Sequence, residues 1–149
     1  MISHMKYILK ITGLLTLIAF LAMNCKPSNK INEVVGITKI TLENTRWNLV
    51  ELNSQAVTIE NKPYLVFASK SMVLNGFGGC NQLAGSYELN GQKIKFNNIA
   101  ATRMFCAETM TIETSFLQSL EIINVYRLEG HELILLQDEG VIARLRVAN

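Results

Sequence analysis

Histidine, cysteine and charge are all scarce in this chain, and each scarcity closes off a class of chemistry. Two histidines occur in 149 residues, and only His131 lies beyond the N-terminal apolar run. It sits in the turn-like string "EGHEL". A cysteine hydrolase needs a thiolate, a base and an orienting group, and a lone turn histidine supplies no such set. Three cysteines are present, Cys25, Cys80 and Cys106, and no two form a C-x-x-C pair. Thiolate and thioether ligands suit Cu(I), but Cys80, Cys106, Met104, Met110 and His131 have no tight metal-ligand spacing, so the methionines read as core gap-fillers. The G-x-x-x-x-G-K-[ST] order of a phosphate cradle is missing. Glu132, Asp138 and Glu139 lie in wet turns and do not form a glycosidase-like carboxylate pair. No catalytic residue, cofactor or metal site is expected.

Charged residues make up only 17% of the chain. The formal charge of +2 misleads, because Lys6 and Lys10 belong to an N-terminal segment of a different kind. They precede "ITGLLTLIAFLAM", a 13-residue uncharged run from Ile11 to Met23. A basic start followed by a short apolar stretch is the pattern of a secretory signal. The run is short for a transmembrane helix, which needs about 20 apolar residues. Cys25 follows directly, in "LAMNC", and resembles the acylated cysteine of a bacterial lipobox. Ala22 and Asn24 depart from the usual Leu and Gly or Ala at those places. Cleavage without a lipid and a retained anchor are the alternatives. If residues 1–24 are removed, twelve basic and twelve acidic residues remain. No basic field for nucleic acid survives. The chain therefore divides into a signal at 1–24, a polar tether at 25–41 and one domain at 42–149.

What is present in the domain is a series of short apolar runs separated by turn signals. "TRWNLVELN", "PYLVF" and "SMVLN" read as strands, and "EVVGITKI" before them could add an edge strand. Asn90-Gly91 separates two longer runs, and Asn-Gly suits the positive φ of a type I′ hairpin turn. After it Ile94 and Phe96 alternate with Lys93 and Lys95, so one face is buried and one wet. The convincing helix spans Ala107 to about Ile123. Ile112, Phe116, Leu120 and Ile123 form its apolar stripe, leaving Thr111, Glu113 and Gln118 to face water. The tail returns to strands around Glu129-Gly130 and Asp138-Glu139-Gly140. Seven or eight antiparallel strands that must hide their edges predict a mainly β fold: a small, meandering, partly open β-barrel with one α-helix inserted before the last three strands.

Four linked signals resemble the META domain found in HslJ-type bacterial lipoproteins. They are Trp47 in "TRWNLVEL", the Gly79-Cys80-Asn81 triplet, Gly85-Ser86-Tyr87, and Thr102-Arg103-Met104 leading to Cys106. The resemblance covers roughly Thr41 to Val147, and Phe105 stands where the family often has a small residue. It implies a meandering antiparallel barrel with one helix, an envelope location, a link to stress or antibiotic tolerance, and no established enzyme activity. The barrel of that family is also similar to secretion-system pilot proteins.

With Cys25 assigned to a lipid, Cys80 and Cys106 remain in an exported, oxidising compartment. A bridge between them would close about 26 residues, and the alternative is two buried thiols. Arg103 is read either as a partner contact at the barrel mouth or, preferably, as a pair with a carboxylate such as Glu113. The expected protein is a lipid-anchored, non-catalytic domain at the outer membrane or periplasmic face, held to the membrane by its N-terminal lipid. It binds an envelope protein or an apolar ligand and no nucleic acid. The competing readings are a barrel carrier for a hydrophobic molecule, a pilot-like chaperone, and a redox or metal protein using Cys80 and Cys106.

Overall fold

The computed structural model describes residues 40–148. The signal, Cys25 and the stretch 33–39 of "EVVGITKI" lie outside the described residues. Within them are nine strands and one helix: β1 (Arg46–Leu52), β2 (Gln55–Ala56), β3 (Tyr64–Ala68), β4 (Val73–Phe77), β5 (Gln82–Asn90), β6 (Lys93–Ala101), α1 (Met110–Ile122), β7 (Val125–Glu129), β8 (Glu132–Gln137) and β9 (Gly140–Val147). All strand pairings are antiparallel, in the order β2-β1-β3-β4-β5-β6-β7-β8-β9. A further pairing of β1 with β9 closes the ring. The expected mainly β barrel with its helix ahead of the last three strands is therefore what forms. The extra strand is β2, a two-residue addition to β1.

The ring is unevenly sealed. β5 and β6 pair from Leu83↔Ala101 to Asn90↔Lys93. β6 and β7 share a single pair, Lys93↔Val125. Backbone bonds from Ile94 N–H to Asn124 and from Tyr126 N–H to Gln92, at 3.0 and 2.9 Å, complete this short seam. Helix α1, which connects these two strands in sequence, buries Phe116 and Leu120 in the barrel core. Its run contains no Gly or Pro, and these residues recur four apart on one face.

The hairpin after β5 corrects the turn expected from Asn90-Gly91. Asn90 pairs with Lys93, so the two-residue loop is Gly91-Gln92, with positive φ (61°) at Gly91 and not at Asn90. Glycine at the first central position is the type II′ pattern, and Gly91 meets that demand without strain. The double positive φ of a type I′ turn occurs instead at Asn53 (49°) and Ser54 (64°), between β1 and β2.

Side chains fill the barrel. Trp47, Leu49, Leu65, Phe67, Leu74, Tyr87, Phe116, Leu120, Leu133, Leu135 and Leu145 are almost wholly buried in one cluster. Phe67 meets Tyr87 edge to face at 5.1 Å between ring centroids, a favoured aromatic geometry. The Trp47 indole N–H donates to the Leu42 carbonyl at 2.9 Å, so its one polar atom is satisfied inside the core.

Candidate functional site

The turn between β4 and β5 carries Gly78, Gly79, Cys80 and Asn81, and all four are buried. Gly79 takes a φ of +120°, a conformation open to glycine. The turn is closed on itself by the Gly78 N–H donating to the Asn81 carbonyl at 2.8 Å. Two other segments converge on it: the loop Thr102–Cys106 after β6, and the first turn of α1.

Asn81 is the centre of the arrangement. Its side-chain Oδ1 accepts from the Thr102 hydroxyl at 2.8 Å and from the Met104 N–H at 2.7 Å. Its Nδ2 donates to the Met104 carbonyl at 3.1 Å and to Glu113 Oε1 at 2.6 Å. All four hydrogen-bonding places of the amide are used. Glu113 completes the set: its Oε2 accepts the N–H groups of Cys80 at 2.9 Å and Asn81 at 2.6 Å. Beneath this lies a covalent link, the Cys80–Cys106 disulfide, with Cα atoms 5.8 Å apart. With both sulfurs in that bond, neither is the thiolate that a metal or a substrate would need.

Glu113 overturns two expectations. The helical pattern leaves it facing water, yet it is 3% exposed. It does not pair with Arg103, because its oxygens are taken by Cys80 and Asn81. Arg103 is exposed and makes no ion pair among the described residues. The sequence does carry a signal for this burial. Glu113, Phe116 and Leu120 are spaced three and four apart, so the carboxylate shares the face that enters the core. Gly78 provides its space: a Cβ there would come within 2.6 Å of the Glu113 carboxylate. A buried carboxylate must be hydrogen-bonded to be tolerated, and the three N–H groups of the turn do this.

The remaining motif residues are architectural. Trp47 and Tyr87 lie in the core. The Tyr87 hydroxyl stands 2.9 Å from a Glu43 carboxylate oxygen and 3.2 Å from the Ala68 carbonyl. Burial, and then the neighbouring Glu43 carboxylate, push the Tyr87 phenol well above its ordinary value. Gly85 faces the β6 bulge, where a Cβ would overlap the Ile99 side chain. His131 is exposed in its turn. Glu132 pairs with Arg144 and Arg146, while Asp138, just after β8, bonds to Asn124, just before β7. Among the described residues no three His, Cys, Asp or Glu side chains group as metal ligands.

A family model of the META domain matches residues 40–149. The chain belongs to the META domain family. Heat shock protein HslJ of Escherichia coli (strain K12) is 29% identical over 91 residues, which is 60% of this chain and 64% of that protein. The match thus spans just under two thirds of the relative's length. Two solved structures have the same fold. An NMR structure of a protein from Burkholderia xenovorans superposes with a TM-score of 0.59 at 24% identity, over 72% of this chain and 84% of that one. A second NMR structure gives 0.58 at 23% identity, over 72% and 95%.

In this META domain the clamp around Asn81 has a solvent side. Met104 is 57% exposed and Phe105 is 83% exposed. Beside them a groove of about 460 Å³ runs over the outside of the sheet, lined by Gly76, Leu83, Ala84, Ala100, Ala101 and Thr102. A second outer cleft, about 420 Å³, has Arg46 stacked 3.7 Å over the Tyr64 ring, with Lys62, Phe77 and Gln82 nearby. Space for a molecule is thus offered on the outer face, while the interior is occupied by side chains.

Proposed function

We propose that this META domain is a non-catalytic, stress-related module of the bacterial envelope that acts through surface contact. In this reading Cys25 carries the lipid, residues 25–41 are the tether, and the domain supports the envelope under heat or antibiotic stress. The observation that carries it is the saturation of the motif residues. Asn81, Glu113, Cys80, Cys106 and Thr102 are engaged with one another, which leaves no free nucleophile or base among them. A catalytic centre needs groups poised to exchange bonds with a substrate. A clamp of this kind instead holds a loop still.

The filled interior favours a partner on the outer surface, an envelope protein or an apolar molecule, over a hydrophobic ligand carried inside the barrel. Three measurements on a strain making this chain test the reading. Labelled fatty acid should reach Cys25 and be lost in Cys25→Ser. The wild-type chain should fractionate with membranes. Loss of the chain should lower survival after heat or antibiotic exposure. A chain that stays soluble and unlabelled, with survival unaffected by its loss, would refute the proposal.

A further inference from the structure

The segment Arg103-Met104-Phe105 combines two properties that rarely coexist. It is fixed, and it is apolar and uncovered. Both backbone polar groups of Met104 are held by the Asn81 side chain, at 2.7 and 3.1 Å. One residue before Arg103, the Thr102 hydroxyl is bound to Asn81, and one residue after Phe105, Cys106 is bound to Cys80. Phe105 thus stands between two pinned neighbours with its ring 83% exposed, next to Met104 at 57%. The backbone that carries the Phe105 side chain is held on both sides, at Met104 and at Cys106. Burying one such side chain is worth about 1.5–3 kcal/mol, and the domain leaves that gain unused.

We propose that Arg103, Met104 and Phe105 form a bilayer contact, with Phe105 and Met104 entering the headgroup-acyl boundary and Arg103 pairing with lipid phosphate. The inference rests on the envelope-anchored reading above. Two observations select a bilayer as occupant. The chain preceding the domain contains the basic start, the 13-residue apolar run and Cys25, which bring the domain to a membrane. The 14 residues from Lys26 to Lys39 reach roughly 46–50 Å when extended. A domain of about 100 residues has a radius of gyration near 13 Å, so the tip can turn onto the surface that holds the anchor. Charge complements shape: Arg103 has no ion pair among the described residues, and the acidic side chain nearest in sequence is Glu108, exposed in the next turn. An aromatic, a thioether and a guanidinium side by side suit the amphipathic interface.

The test uses the full chain carrying Phe105→Trp, reconstituted into vesicles of phosphatidylethanolamine and phosphatidylglycerol with brominated or unbrominated acyl chains. The native Trp47 is buried in the core, so the wild-type chain supplies the background. We expect brominated lipid to quench the added tryptophan emission at least twofold. Quenching should weaken severalfold in Arg103→Gln and in vesicles without anionic lipid. Emission equal in the two kinds of vesicle overturns the proposal. If the chain then still sediments with the vesicles, the anchored reading stands without the tip. If it does not sediment, both readings fall.

Discussion

Two junctions of this barrel are built from opposite materials. At the β4–β5 turn, the Thr102–Cys106 loop and the start of α1, closure is covalent and polar: a disulfide, a saturated asparagine and a buried carboxylate. At the β6–β7 seam a single residue pair joins the strands, and the helix that links them packs its apolar face into the core. Hydrophobic burial is non-directional and tolerates adjustment. Hydrogen bonds to a carboxylate and an amide depend on angle and distance. The first junction therefore fixes where a loop sits, and the second chiefly supplies stability.

Four perturbations test that contrast. Phe116→Ala, which removes a wholly buried helix side chain from the core, has the largest expected effect, about 3–5 kcal/mol of unfolding free energy. Denaturant unfolding should show it, with amide exchange rising first in β7. Replacing Cys80 and Cys106 together by Ser comes next. Closing a 26-residue separation is worth roughly 3–4 kcal/mol on the chain-entropy model. The loss should appear as a lower unfolding midpoint together with faster tryptic cleavage at Arg103. Glu113→Gln keeps the shape but turns an amide NH₂ toward N–H donors, and should cost about 1–3 kcal/mol. If the two junctions differ as described, Glu113→Gln will loosen Thr102–Cys106 more than its stability loss alone predicts, as read by local amide exchange.

The smallest effect is electrostatic. The Tyr87 phenol keeps its proton in the folded state well above its ordinary value, because it is buried and faces Glu43. An unfolded tyrosine releases its proton near pH 10. Between those two values the folded state binds more protons, so stability falls as pH rises above about 10. Tyr87→Phe should lower stability by about 1 kcal/mol near neutrality and flatten the alkaline slope. An unchanged slope would assign the alkaline loss to other groups.

Much of this was legible in the one-dimensional pattern. Alternation in β6, the turn glycines and the four-residue spacing of Phe116 and Leu120 follow from the geometry of strands and helices, which is local. The motif order led to the META fold, which the family match and the solved structures share. Glu113 and Gly91 mark where local reasoning stopped. A glutamate is ordinarily solvated, so its residue type argues against the core face that its spacing gives it. Only a turn 32 residues earlier in the chain supplies the N–H groups that make its burial tolerable. The Asn90-Gly91 pair is a turn signal either way. Which residues occupy its centre depends on the register of β5 against β6, which is set along the whole hairpin.

Residue order was enough for the β-rich class, the single helix and its position, and the even charge balance of residues 25–149, because these depend on residue type and near-neighbour spacing. It took the fold to show that Cys80 meets Cys106, that Glu113 enters the core, that Arg103 has no ion pair among the described residues, and that Phe105 is held out in solvent. Each of these is a matter of which distant segments arrive at one place, and hydrogen bonds and disulfides act only over a few ångströms.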